Sequence, residues 1–447
     1  MKRLSYIIVM LTLVCLMAIS VNAGASGKVL HILTLNWPQA TIEQKLADQY
    51  FTPKTGIKVV VEALPYAFCE QKAKQELAGK SPYYDIINYD SQWLGGYVAA
   101  QGLERLDTKE YLQAPGCPVS VDTFIPEVCL RLMTYPNNEE QLFVKKDYEA
   151  AKKAPVYGLP WSLNAQILFY RKDLIPTPPK TWYEYKELAK KFNDPPRMYG
   201  TTFSASRTAD FISMDYFPMM WSWGGSLWDE DEWKAEGVVN SKQNIESLEF
   251  FASFYKEGLA APDTPNYQMD EKLNALTQGK VALCEEWNLV GGLMDNPAIS
   301  KVVGKIGFAP LPAGPKGRVA MYGCQGMGIN RYSKNKKEAW QYMLWFVSKE
   351  TQQRLLSIPE ASFFSSRKDM MEANRASNPW NRAFADSIPY VRDFWNIPPY
   401  AELLDTIQKE LNLVYSGRAS AKEALDHAAK ILDSIYDSNR QYKPKND

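Results

Sequence analysis

The chain has 447 residues, of which 46% are hydrophobic and 23% charged. That is a globular composition, long enough for two domains. Its 51 Lys and Arg balance its 51 Asp and Glu, so no overall field draws it to nucleic acid or to an anionic membrane.

The start reads as an export signal. Lys2 and Arg3 precede an apolar run over residues 4–17, and Val21-Asn22-Ala23 offers a small-residue cleavage site after Ala23. Val14, directly before Cys15, argues against a lipoprotein signal and so against a lipid-anchored form. The expectation is a leader over residues 1–23 and a mature chain in the periplasm. Past the leader come Cys69, Cys117, Cys129, Cys284 and Cys324, an odd number. Cys117 and Cys129 are near enough to close a short loop as a disulfide, or stand as separate buried thiols.

Strand and helix signals then alternate. Residues 28–35 suit a strand buried on both faces. Residues 41–54 have helical spacing and stop at Gly56. Residues 57–64 are rich in β-branched side chains. A helix follows over 70–78, then a short strand over 84–88. This βαβαβ order implies a parallel sheet flanked by helices. Residues 113–154 mix prolines, cysteines and charge, and read as an excursion of loops and short helices.

Tyr157 opens a second α/β segment. Residues 165–170 read as a strand. Thr181 and Glu184 form a capping-box pair. Residues 240–255 read as a helix, 280–284 and 305–310 as strands, and 335–348 as a helix capped by Asn335 and Glu338. A last helix starts at Ser420, with Ala424, Ala428, Ile431 and Ile435 on one face. No repeat or flexible linker separates the halves.

Catalytic material is sparse. The two histidines, His31 and His427, are far apart in sequence, and no C-x-x-C occurs. A Ser-His-Asp triad or a zinc site therefore lacks residues, and no metal or cofactor is expected. No nucleophile elbow, phosphate loop or dinucleotide fingerprint occurs either. The acid pair Glu285-Glu286 is the best material for a glycosidase, though surface or supporting acids are the plainer reading.

Aromatic placement is the distinctive feature. The chain has 13 Trp, and several fall at strand ends, where open α/β sheets bind ligands. Asn36 and Trp37 follow the first strand, and Tyr66 and Phe68 the second. Tyr89, Asp90, Gln92 and Trp93 follow the third. Trp161 and Asn164 flank the start of the second half. Trp221 and Trp223, with Gly224 and Gly225, read as a loop, and Trp287 follows a later strand. Indole rings pack on the C–H face of a sugar, while amides and carboxylates replace water on its hydroxyls.

The ordered set of local patterns resembles family 1 of the extracellular solute-binding proteins, the maltose/maltodextrin-binding type. Thr55-Gly56-Ile57-Lys58-Val59, Tyr84-Asp85-Ile86-Ile87, Gly158-Leu159-Pro160 and the stretch from Leu168 to Leu174 carry the resemblance. So do Pro178-Pro179-Lys180-Thr181-Trp182, Gly279-Lys280-Val281-Ala282 and Ala309-Pro310-Leu311-Pro312. The resemblance implies a type II fold, α/β, with two lobes that each hold a mostly parallel sheet, joined by a hinge near Pro160 and Gly326. One lobe would hold residues 24–162 plus about 326–365, the other 163–325 plus about 366–447. The implied function is capture of a small neutral carbohydrate or polyol for the permease subunits of an ABC importer, by a non-catalytic monomer. Strand-end placement and the resemblance together give as expected ligand residues Asn36, Trp37, Tyr89, Asp90, Gln92, Trp93, Trp161, Asn164, Trp221, Trp223 and Trp287. Trp93 and Asn164 stand where the maltodextrin binder has charged residues, which points away from maltose.

Overall fold

The computed structural model describes residues 27–443. The expected export signal lies outside the described residues. The first elements are strand β1 (Val29–Leu35), helix α1 (Pro38–Leu46), strand β2 (Lys58–Leu64), helix α2 (Tyr66–Ala78) and strand β3 (Ile86–Asp90). Every residue of β3 is buried, as a central strand requires. β1 pairs in parallel with β2 and β3, the expected βαβαβ arrangement.

The excursion that follows contains helix α3 (Pro126–Met133) among shorter helical turns. The chain then returns to the first sheet as β4 (Leu159–Ser162). It leaves at once for a second sheet, through β5 (Gln166–Arg171). Helices α4 (Trp182–Lys191), α5 (Phe211–Ser222), α6 (Lys242–Lys256) and α7 (Met269–Thr277) come next, then strands β6 (Leu283–Trp287) and β7 (Ile306–Ala309). β8 (Gln325–Ile329) crosses back into the first sheet, giving the order β2-β1-β3-β8-β4. β8 runs antiparallel to both of its neighbours, so one reversed strand sits inside an otherwise parallel sheet.

The second sheet corrects the expectation of mostly parallel pairing. Its order is β6-β5-β7, and β5 is antiparallel to both partners. The long connection out of β5 brings the chain back as β6 in the opposite sense, and β7 then runs parallel to β6 on the other side of β5. A parallel bridge, Tyr199 to Val281, touches its margin.

The carboxyl-terminal part adds α8 (Lys336–Phe346), α9 (Tyr400–Tyr415) and α10 (Ala421–Ser438). Ser420 caps α10 by accepting from the Glu423 amide, as its sequence predicts, whereas Asn335 makes no side-chain cap to α8. The buried face of α10 is Ala421, Ala424, Leu425, Ala428, Ala429, Leu432 and Tyr436. Ile431, expected on that face, is 37% exposed. No helix among the described residues is long and apolar enough to cross a membrane.

The cysteines stand apart. Cys117 directs its thiol to the Val119 carbonyl, and Cys129 is buried with its thiol toward the Ser366 carbonyl. The bridge that their spacing allows is not formed, because α3 turns Cys129 into the core.

Candidate functional site

Two segments connect the sheets side by side, residues 162–166 outward and 321–325 back. Asn164 lies on the first. Its Nδ2 donates to Gln325 Oε1 on the second at 3.1 Å, and its Oδ1 is buried without a partner. Trp287, at the end of β6, lies with its ring edge against Gly323. A Cβ there would come within 2.2 Å of the indole, so only glycine allows this approach.

From this crossing a polar chain runs along the ends of the first sheet. Gln325 Nε2 donates to Asp90 Oδ1 at 3.2 Å, and the Ser91 amide donates to the same oxygen at 3.1 Å. The other oxygen of Asp90 lies 2.9 Å from the hydroxyl of Tyr66, the first residue of α2. Gln92 Nε2 donates to that hydroxyl at 2.8 Å. Ser91 donates its hydroxyl to Asp393, which also meets Arg131 of α3 at 3.2 Å.

The chain then crosses to the other side. Tyr66 Oη lies 3.1 Å from Asp210 Oδ2. Asp210 occupies the N-cap of α5, yet its carboxylate makes no cap bond to that helix. An N-cap aspartate ordinarily satisfies a free helix amide; this one faces the first sheet's α2 instead. Trp93 packs its ring 4.9 Å from that of Tyr66. Tyr66, Trp93, Asp210, Tyr400 and Leu404 line a cavity of about 450 Å³, with the exposed Arg207 and Lys409 at its mouth. The indole N–H of Trp93 and the hydroxyl of Tyr400 are buried without partners. Burial pushes Asp210 up to about 7. Burial, with Asp393 and Asp210 nearby, holds Asp90 well above the usual carboxylate range.

The cluster thus brings together Asp90, Gln92, Trp93 and Asn164 of the residues expected from sequence. Others lie elsewhere. Asn36 is exposed, and Trp37 is half-buried at the N-cap of α1, its ring 6.5 Å from Trp161. Trp161 is buried, with its N–H held at 2.6 Å by Glu43. Tyr89 is fully buried and donates to the Leu132 carbonyl, because successive strand residues point to opposite faces and Asp90 takes the cleft side. Trp221 and Trp223 are at the far end of α5, a helix where the paired glycines suggest a loop. Trp221 packs on Phe217 and under Arg392, and Trp223 on Phe250 and Tyr183.

Asp210 and Tyr400 have no counterpart among the expected residues, and Tyr66 is expected only as one of two aromatics after β2. The signal for Asp210 is an aspartate directly before a mainly apolar run, residues 211–222, broken by Ser213, Asp215 and Ser222. Phe68, the other aromatic after β2, is 65% exposed. The acids Glu285 and Glu286, read as surface or supporting groups, are both buried on β6. As strand neighbours they leave opposite faces, so they cannot flank one glycosidic bond.

Comparison with known proteins agrees with this architecture. The family model described as "Bacterial extracellular solute-binding protein" matches residues 36–353. A probable ABC transporter-binding protein of Deinococcus radiodurans is 29% identical over 351 residues, covering 74% of this chain and 76% of that protein. The galactooligosaccharide-binding protein of Bacillus subtilis is 25% identical over 427 residues, 92% of this chain and 90% of that one. Among solved structures, an ABC transporter solute-binding protein of Agrobacterium radiobacter K84 in complex with ribitol superposes with a TM-score of 0.77. It is 26% identical, and the match covers 92% of this chain and 100% of that one.

Proposed function

The chain belongs to the bacterial extracellular solute-binding protein family, and from that premise we propose that it captures a polyol or small neutral carbohydrate between its two sheets and delivers it to an ABC importer. The observation that carries this reading is the cross-cleft cluster of Tyr66, Asp90, Gln92, Trp93 and Asp210 at the cavity. It offers acceptors for vicinal hydroxyls and an indole face for C–H groups. Asn164 and Trp287 at the crossing would complete it, and Trp37 would flank it from α1. The ribitol and galactooligosaccharide named for its relatives are of this chemical kind.

The protein would act after export, with its leader over residues 1–23 removed, as a monomer contacting permease subunits. One lobe would hold residues 24–162 plus about 326–365, the other 163–325 plus about 366–447. Ligand would favour the closed arrangement because only there do both sides touch it. No reacting group is required, and bound ligand should be recovered unchanged.

Thermal-shift screening of the mature protein against polyols, mono- and disaccharides, amino acids and phosphate esters tests the substrate class. Ligand at a hundredfold its dissociation constant stabilises the native state by about 2.7 kcal/mol. Stabilisation by an amino acid or phosphate ester alone would overturn the reading. So would conversion of a bound sugar to product.

A further inference from the structure

The hydrogen-bond inventory at Tyr66 does not close unless a proton is added. Its hydroxyl accepts from Gln92 Nε2 at 2.8 Å and stands 2.9 Å from Asp90 Oδ2 and 3.1 Å from Asp210 Oδ2. A phenol has one proton to give and two lone pairs. It can donate to only one of the two carboxylates. Its remaining lone pair then faces the other, and that contact is a hydrogen bond only when the second carboxyl carries a proton itself. With one added proton the oxygen donates once and accepts twice. With none, two anions converge on one phenol, and both are 4% exposed.

No cation relieves this. Among the described residues, no Lys or Arg pairs with Asp90 or Asp210. Arg131 reaches the neighbouring Asp393 and is engaged there. Glu70, facing from α2, adds negative charge and spends its own pairing on Lys74. Arg207 and Lys409 stay exposed at the cavity mouth. From α9 comes the neutral hydroxyl of Tyr400, and from α2 the buried thiol of Cys69.

The two carboxylates also belong to different sides. Asp90 ends β3 of the first sheet. Asp210 precedes α5, which packs against α6 and α9. Separating the sides would return Asp210 to water and dissolve the arrangement.

We propose that Asp90, Tyr66 and Asp210 form a proton-sharing clasp: the ligand-free protein closes by taking up one proton, and a ligand replaces that proton with hydroxyl donors of its own. The inference rests on the reading of a cleft that closes on ligand. Its sign follows from linkage. An exposed aspartate titrates near 3.8, whereas burial raises Asp210 to about 7 in the closed arrangement. Burial raises Asp90 as well, so the shared proton belongs to the pair, and ligand-free closure is favoured as pH falls and weakened as pH rises. Between the two values the closed-to-open ratio changes by up to about tenfold per pH unit.

Small-angle scattering of the ligand-free mature protein between pH 5.5 and 8.5 tests this. The wild type should compact as pH falls. Asp210→Asn supplies a permanent amide donor to the Tyr66 oxygen and should stay compact throughout. Asp210→Ala should stay extended throughout. An unchanging wild-type radius, or an alanine variant that follows the wild-type curve, overturns the clasp. Saturating ribitol at pH 8.5 separates this from the parent reading. Compaction by ribitol without any pH response removes the clasp alone; if no polyol or sugar compacts or stabilises the protein, the capture reading falls and takes the clasp with it.

Discussion

Two buried groups of acids in this protein are handled in opposite ways. In the second sheet, Lys272 of α7 meets both oxygens of Asp215, at 2.9 and 3.1 Å, and lies 3.7 Å from Glu286. Asp215 also accepts from Gln166 and from the Ser204 amide. There the chain supplies Asp215 with its own cation and donors, and Lys272, Asp215 and Glu286 are all closed off from solvent. At the cleft, Asp90 and Asp210 share one phenol, beside a cavity, with no cation paired to them among the described residues. Burying charge without compensation is costly. Where the compensation is built in, the cluster holds elements together. Where it is left out, something from outside must supply it.

Breaking the compensated cluster should have the largest effect. Lys272→Met leaves Asp215 and Glu286 buried without their cation, and should cost about 3–5 kcal/mol. A urea midpoint would show it. A loss below about 1 kcal/mol would mean that the carboxyls simply take up protons there too, and the contrast between the clusters would disappear. Asp90→Asn should do the reverse. It removes one of two unpaired charges, so ligand-free stability at pH 8 should change by no more than about 1 kcal/mol. The thermal shift with ligand should vanish. An intact shift in this variant would move the binding site elsewhere.

Glu43 is an intermediate case and sharpens the rule. It is buried and pairs with no cation among the described residues, but Trp161 and Tyr342 each donate to it at 2.6 Å. Those donors favour the charged form, yet burial outweighs them and the carboxyl is pushed up to about 7. A folded value above the unfolded one means that the native state holds the proton longer. Stability from this group is therefore full below about 4.5 and declines as pH rises toward 7, by on the order of 1–3 kcal/mol. Glu43→Gln should flatten that part of the pH profile of chemical unfolding. A variant as steep as the wild type would assign the decline to another group.

The same contrast explains what could be read from sequence. The β1, β2 and β3 part of the first sheet was legible because those strands are mainly apolar or β-branched and α2 stops at Gly79, whereas β4 and β8 are short and carry no such signal. Thr181 and Ser420 announce their helices because capping chemistry is local. The gathering of Asp90, Gln92 and Trp93 at the end of β3 was legible because a parallel strand's end faces the crevice of such a sheet. The partners from the other side were not. Asp210 stands at the N-cap of α5 and Tyr400 opens α9, and their approach to β3 depends on how those helices pack. The helix α5 itself is buried on nearly every side, so it has no amphipathic stripe to reveal it, and Gly224 and Gly225 mark its end rather than a loop.

Trp223 gives the smallest expected effect and the most direct check on that misreading. Taken as part of a loop, it belongs with the ligand aromatics. In the structure it is the C-cap of α5, at the opposite end from Asp210, and 12 helical residues separate them. At 1.5 Å per residue that is about 18 Å. Its ring packs 5.0 Å from Phe250 and 6.0 Å from Tyr183. Trp223→Phe keeps an aromatic there and removes only the larger ring. Stability should fall by about 1 kcal/mol, within the range for trimming a packed side chain. Ligand affinity, measured by titration calorimetry, should change less than about twofold, since nothing at the cleft has moved. A tenfold loss of affinity with no loss of stability would place Trp223 in the site after all, and with it the loop that the glycines suggest. The structure argues otherwise, because a helix that presents Asp210 at its first turn has no way to present Trp223 to the same ligand.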